Sequence, residues 1–92
     1  MLKTPYTTQY RTLLAMLREA RSSAGLTQIE MAKRLDISQS DVSKCEHGFR
    51  RLDVIELKLW IEALGGDFSI FLDDFYAQLE ADQHGKNFPV RS

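Results

Sequence analysis

The sequence predicts an all-α domain of about five helices, with a helix-turn-helix at its centre and a C-terminal helix for association. Three observations predict it. One helix-start pattern occurs three times: an apolar residue, a capping side chain, two residues, an acid, then an apolar residue. The copies are Leu26-Thr27-x-x-Glu30-Met31, Ile37-Ser38-x-x-Asp41-Val42 and Leu52-Asp53-x-x-Glu56-Leu57. In each, the capping oxygen can accept from an orphan backbone N–H, the acid can reach back to the cap's own N–H, and the apolar pair can close as a staple. The first two starts lie so close that one helix must end and the next begin within about three residues, which is a helix-turn-helix and points toward DNA. Elsewhere, apolar residues recur at helical spacing.

Residues 1–7 read as a lead-in. Tyr10, Leu13, Leu14, Leu17 and Ala20 place a first helix over about Thr8 to Ala24, ended by Gly25 in a left-handed cap. The second helix runs from Gln28 to Leu35 with Met31, Ala32 and Leu35 inward, and Asp36 takes a left-handed turn position at some steric cost. The third spans Gln39 to His47, with Val42 and Cys45 inward and Gly48 as its stop. Its other side carries Gln39, Ser40, Ser43, Lys44 and His47, a polar face with little bulk. After the basic loop Phe49-Arg50-Arg51, a fourth helix runs from Asp53 to Leu64 and breaks at Gly65-Gly66. Residues 67–72 are ambiguous. Phe68, Ile70 and Leu72 alternate as in a strand, but Phe68, Phe71, Leu72, Phe75, Tyr76 and Leu79 fit a fifth helix to about Ala81, capped by Asp67, and a lone strand would lack a partner. The expected organisation is a lead-in at 1–7, a DNA-binding domain at 8–65, a dimerisation segment at 66–81 and a mobile tail at 82–92, in which Phe88-Pro89-Val90 could dock.

Ninety-two residues make one small domain with little area for a core. No apolar run approaches the roughly 20 residues of a membrane span, and the N-terminus lacks the apolar stretch of a signal peptide. Cys45 is the only cysteine, so an internal disulfide is excluded and a reducing cytoplasm is the expected compartment. The net charge of −1 hides an asymmetry. Residues 1–52 carry nine basic and five acidic side chains, or +4, and residues 53–92 carry three and eight, or −5. Such a dipolar molecule can face a polyanion with one side.

The run Leu26-Thr27-Gln28-x-x-x-Ala32-x-x-Leu35-x-Ile37-Ser38-Gln39-Ser40-x-Val42-Ser43-Lys44-x-Glu46-x-Gly48 closely resembles the phage repressor and Cro-like (XRE) family of helix-turn-helix transcriptional regulators, over about residues 13–65. The resemblance implies a lambda-repressor-like fold whose third helix lies in the major groove. It implies Gln39, Ser40 and Lys44 as base readers, with Ser43 on a base or a phosphate, and Thr27, Gln28, His47, Arg50 and Arg51 on phosphates. The chemistry agrees: Gln pairs bidentately with adenine, Lys donates to guanine O6 and N7, and helix-start N–H groups and basic loops suit phosphates. The family also pairs an Arg of the first helix with the Glu that ends the third, here Arg21 and Glu46, a scaffold tie since Glu46 would repel phosphate. Two positions depart from the family pattern: Asp36 stands where Gly is common, and Leu52 where Pro often precedes the fourth helix.

Each assignment has a plainer rival. Thr27 and Ser38 are helix caps in any case, Gln39 and Ser40 could be ordinary exposed polar residues, and Arg50 and Arg51 a solvated loop pair. Asp41 is read as completing a capping box, with cytosine recognition through N4 as the alternative. Cys45 reads as inert packing before a redox switch. Neither His47 nor His84 has partners at metal-ligand spacing, so no metal or cofactor is expected.

The family reads two half-sites about 34 Å apart through a two-fold dimer. Trp60, Phe68, Ile70, Phe71, Leu72, Phe75, Tyr76 and Leu79 are more apolar side chains than a small core can absorb, and the surplus predicts a homodimer interface, against the plainer reading that they complete the monomer core. The expected function is a sequence-specific double-stranded DNA-binding regulator acting on a pseudo-palindromic operator, a repressor before an activator because occlusion needs no further surface. The alternative is an antitoxin that binds operator DNA and a toxin protein, the latter through the C-terminal segment. An adaptor without DNA binding conflicts with the intact polar face. An enzyme is not expected: no phosphate loop, metal cluster or nucleophile–base pair is present.

Overall fold

The computed structural model describes residues 4–82 as five helices in the order α1 (Thr4–Ser23), α2 (Gln28–Leu35), α3 (Gln39–Glu46), α4 (Val54–Ala63) and α5 (Phe68–Asp82). The all-α expectation holds among the described residues, and 67–72 resolve as the start of a helix. α1 begins at Thr4, so the lead-in expected at 1–7 is shorter than read. Pro5 does not prevent this, because a first-turn residue has no intrahelical use for the N–H that proline lacks. The tail expected at 82–92 lies, beyond Asp82, outside the described residues.

Thr27, Ser38 and Asp53 each sit in extended backbone and accept from the N–H three residues on. Glu30 and Glu56 return the bond to the cap N–H of Thr27 (2.8 Å) and Asp53 (3.0 Å), completing two capping boxes. The middle copy does not close. Ser38 Oγ accepts from the Asp41 N–H at 3.0 Å, but no bond returns from Asp41, whose side chain is one methylene shorter than glutamate. Asp67 Oδ1 caps α5 through the Ile70 N–H.

The ends repeat as the starts do. α1 to α4 each stop at a left-handed residue, Gly25, Asp36, Gly48 and Gly65. The following N–H then reaches back five residues, Leu26 to Arg21, Ile37 to Ala32, Phe49 to Lys44 and Gly66 to Ile61, at 2.9–3.1 Å. Asp36 fills this position with φ 58° in the turn between α2 and α3, an aspartate tolerating it better than most side chains. Gly48 has a second reason: a Cβ there would meet Leu14 Cδ1 at 3.1 Å.

The core draws on every helix: Leu13, Leu14 and Leu17, then Met31 and Ala32, Val42 and Cys45, Leu57, Trp60 and Ile61, and Phe71. α3 packs on α1 and α2, and α5 on α1 and α4. Arg34 of α2 caps the far end of α4 by donating to the Ala63 carbonyl oxygen (2.8 Å). Trp60 Nε1 is buried without a hydrogen-bond partner.

Candidate nucleic-acid interface

α3 is only eight residues long and would not persist alone. Its inner side inserts Val42 and Cys45 into the core and also Glu46, which is 1% exposed. A carboxylate so buried needs full compensation. Arg21 supplies two bonds, Nε to Oε2 at 2.6 Å and Nη2 to Oε1 at 3.1 Å, and Gln28 Nε2 donates a third to Oε1 at 2.9 Å. Arg21 also donates to the Leu26 carbonyl, and Arg18 Nη1 to the Glu46 backbone carbonyl, each at 2.8 Å. The expected Arg21–Glu46 pair is present, as the centre of a network joining α1, the α2 start and the α3 end.

That network extends to the outer face. Glu46 already accepts from Arg21, so the Gln28 side that faces it must be the NH2, which turns Gln28 Oε1 outward. Oε1 accepts from Gln39 Nε2 at 2.7 Å. The two glutamines open their helices, and the tight turn brings both N-termini together. Gln39 thereby keeps one N–H and its whole carbonyl oxygen for another molecule. Ser40 and Lys44 are exposed beside it, and Ser43 is half-buried.

The expected phosphate contacts are distributed less simply. Thr27 is exposed and caps α2; Gln28 is half-buried and bridges Glu46 to Gln39. His47 is exposed at the α3 C-cap, where Nδ1–H donates to the Ser43 carbonyl (2.8 Å) and the ring stacks on Phe49 with centroids 6.2 Å apart. Arg50 is engaged within the chain: Nη2 donates to Glu56 Oε2 at 2.6 Å and Nη1 to Cys45 Sγ at 3.4 Å. The Glu56 carboxylate, with the Cys45 sulfur second, pushes the guanidinium above its already high range. Glu56 is held below the ordinary glutamate range, first by the Asp53 N–H and then by Arg50. The Arg51 guanidinium lies 4.4 Å from the Tyr10 ring centroid. Tyr10 Oη accepts from the Leu52 N–H at 3.1 Å, a bond that a proline at 52 could not make.

Tyr10, Arg18 and Phe49 were not singled out as site residues. Arg18 stands three residues before Arg21 on one helical face, a signal that was available. Nothing local in the sequence marks Tyr10, which meets residues forty positions away.

The residues expected at a dimer interface divide. Trp60 and Phe71 are in the core, and Phe68 and Phe75 pack against it, correcting their assignment as surplus: α5 lies on α1 and α4, so its inner face closes the monomer. Leu79 is half-buried, while Ile70, Leu72 and Tyr76 remain exposed. Among the described residues no group of His, Cys, Asp and Glu could hold a metal, and no helix is long and apolar enough to cross a membrane.

Comparison with known proteins agrees with this architecture. A family model described as helix-turn-helix (HTH_3) matches residues 17–71. The chain is 40% identical over 68 residues to the HTH-type transcriptional regulator PrpR of Mycobacterium tuberculosis (strain ATCC 25618 / H37Rv), covering 74% of this chain and 14% of that protein. The chain therefore spans about one seventh of the length of this curated relative. A solved structure of an XRE-family like protein from Pseudomonas syringae pv. tomato str. DC3000 superposes with a TM-score of 0.76 at 45% identity, over 79% of this chain and 89% of that one.

Proposed function

The chain belongs to the helix-turn-helix family of Cro/C1-type (XRE) transcriptional regulators, which are not enzymes, and on that footing we propose that it is a sequence-specific repressor. It reads pseudo-palindromic double-stranded DNA as a homodimer, with α3 in the major groove and the cytoplasm as its compartment. The observation that supports this best is the relay from buried Glu46 through Gln28 to Gln39. An adenine edge offers N7 as acceptor and N6–H2 as donor, and Gln39 retains one N–H and one carbonyl oxygen to match them. Its side chain is held before DNA arrives, so less rotamer freedom is lost on binding. Lys44, exposed on the same helix, suits guanine O6 and N7.

Phosphate contact falls to the Gln28 N–H not used by Glu46, and to Thr27, His47, Arg50 and Arg51 at the rim. Arg50 must share its guanidinium with Glu56 or leave it. The antitoxin alternative rests on the outer face of α5 and on residues 83–92, and the latter lie outside the described residues.

Selection of bound sites from random duplex DNA gives the operator. Against it, Gln39→Ala and Lys44→Ala are each expected to cost about 1–3 kcal/mol and to relax preference at one base position. An unchanged footprint and base preference with both replaced would refute the groove assignment.

A further inference from the structure

Two apolar surfaces stand uncovered on the described residues. The first is the outer side of α5, where Ile70, Leu72 and Tyr76 lie on a helix that carries Asp73, Asp74, Glu80 and Asp82 and no basic residue. The second is the outer side of α4, where Val54, Ile55 and Leu59 are 61%, 61% and 52% exposed. Leu59 also borders a groove of about 210 Å³ between α4 and the turn joining α2 to α3, walled by Leu35, Ile37, Leu52 and Trp60.

We propose that a second copy of this chain seats on the α4 surface, Val54, Ile55 and Leu59 of each copy closing over the groove of the other, and that α5 stays outside the seam. The placement rests on the regulator reading above. A two-fold interface sets one patch against itself, so its charges must complement themselves. A seam of α5 on α5 would set together two helices that each carry four carboxylates and no basic residue, and like charges in apposition oppose association.

The α4 surface is mixed. It carries Arg50 beside Glu56 and Lys58 beside Glu62, pairs at 2.6 and 2.8 Å that can exchange partners across a two-fold axis. Asp41 is a further groove residue, and its carboxylate has no partner among the described residues. The polar readers Gln39, Ser40, Ser43 and Lys44 take no part in the groove, so a copy seated there leaves them open. Asp41 and Arg50 belong to α3 and its following loop, so the seam adjoins the reading helix.

Ile55 and Ile70 make a matched pair for the test. Both are 61% exposed, both lie in the first turn of a helix headed by an aspartate cap, and an acid there suits the helix. Sedimentation equilibrium of the 92-residue chain should show a dimer for the wild type and for Ile70→Glu. Ile55→Glu should raise the dimer dissociation constant at least tenfold, with an unchanged far-ultraviolet helical signal. Amide shifts of the wild type on dilution, which need no variant, should concentrate at 37, 50 and 54–59. Dissociation by Ile70→Glu and not by Ile55→Glu, dilution shifts confined to α5, or a wild type that is monomeric both free and on the selected operator would each overturn the seam. Binding to a single half-site separates this from the function. A monomeric Ile55→Glu chain that keeps the wild-type base preference there supports the seam. Absence of wild-type binding to any selected DNA refutes the regulator reading, while sedimentation still decides the seam.

Discussion

α3 and α5 are held to the same core by different physics. α3 has eight residues and, besides Val42 and Cys45 in the core, is fixed by directed polar bonds: Arg21, Arg18 and Gln28 all converge on Glu46 at its last position. α5 has fifteen residues and is fixed by an apolar face, Phe71 buried and Phe68 and Phe75 packed against the core, while its other face is uncovered. Hydrogen bonds lose strength steeply with misalignment, whereas apolar burial is nearly indifferent to direction. On the proposed reading, a helix that has to present Gln39 within hydrogen-bonding tolerance of a base needs the first kind of attachment. A helix that only has to close a core can use the second.

The largest effects should come from cutting each attachment at its centre. Glu46→Ala removes the acceptor on which Arg21 and Gln28 converge and leaves the half-buried Arg21 guanidinium without its counter-charge, at an expected cost of about 3–5 kcal/mol. Phe71→Ala empties a core site and should cost a similar amount, about 3–5 kcal/mol. Urea denaturation measures both. The contrast lies in DNA recognition: at temperatures where each variant is folded, Phe71→Ala should keep the wild-type base preference and Glu46→Ala should blur it at the Gln39 position. Equal loss of preference in both would erase the distinction between the two attachments.

The same contrast can be sharpened within α5. Ile70→Ala, on the outer face of the helix that carries Phe71, should change monomer stability by no more than about 0.5 kcal/mol. A cost near that of Phe71→Ala would mean that the outer face is covered within the monomer.

The two attachments were not equally legible in the sequence. Helix starts announce themselves locally, since Thr27, Ser38 and Asp53 act on N–H groups three residues away, and the boundaries of α2 follow from them. Helix ends repeat as regularly, and even the one at Asp36 was legible, because aspartate tolerates a conformation usually left to glycine better than most side chains. The Arg21–Glu46 pair followed from the family resemblance. The onward step to Gln28 and Gln39 did not, because it depends on two helix starts meeting in space. The aromatic count of α5 signalled a buried face, but how much of it the monomer consumes depends on where α1 and α4 lie. The Arg50–Glu56 and Arg51–Tyr10 contacts were hidden for the same reason: a loop's basic residues look solvated until their neighbours are placed.

The smallest effects concern the caps, where the closed boxes of α2 and α4 differ from the open one of α3. Thr27→Ala removes a cap and should cost about 0.5–2 kcal/mol. Asp41→Ala should cost less, because its carboxylate returns no bond to Ser38. Acid provides a second measure. The cap N–H of Thr27 holds Glu30 below its ordinary range, as that of Asp53 holds Glu56. A carboxyl whose folded value lies below its unfolded one stabilises the fold fully above the unfolded value and loses that contribution as pH falls through the folded value. Glu30→Gln and Glu56→Gln keep an acceptor for the cap N–H but do not titrate. Together they should flatten the loss of stability between neutral pH and the acid side of the glutamate range. A steeper loss in the double variant would mean that these carboxylates bind protons more readily in the folded chain than in the unfolded one, contrary to the bonds that hold them.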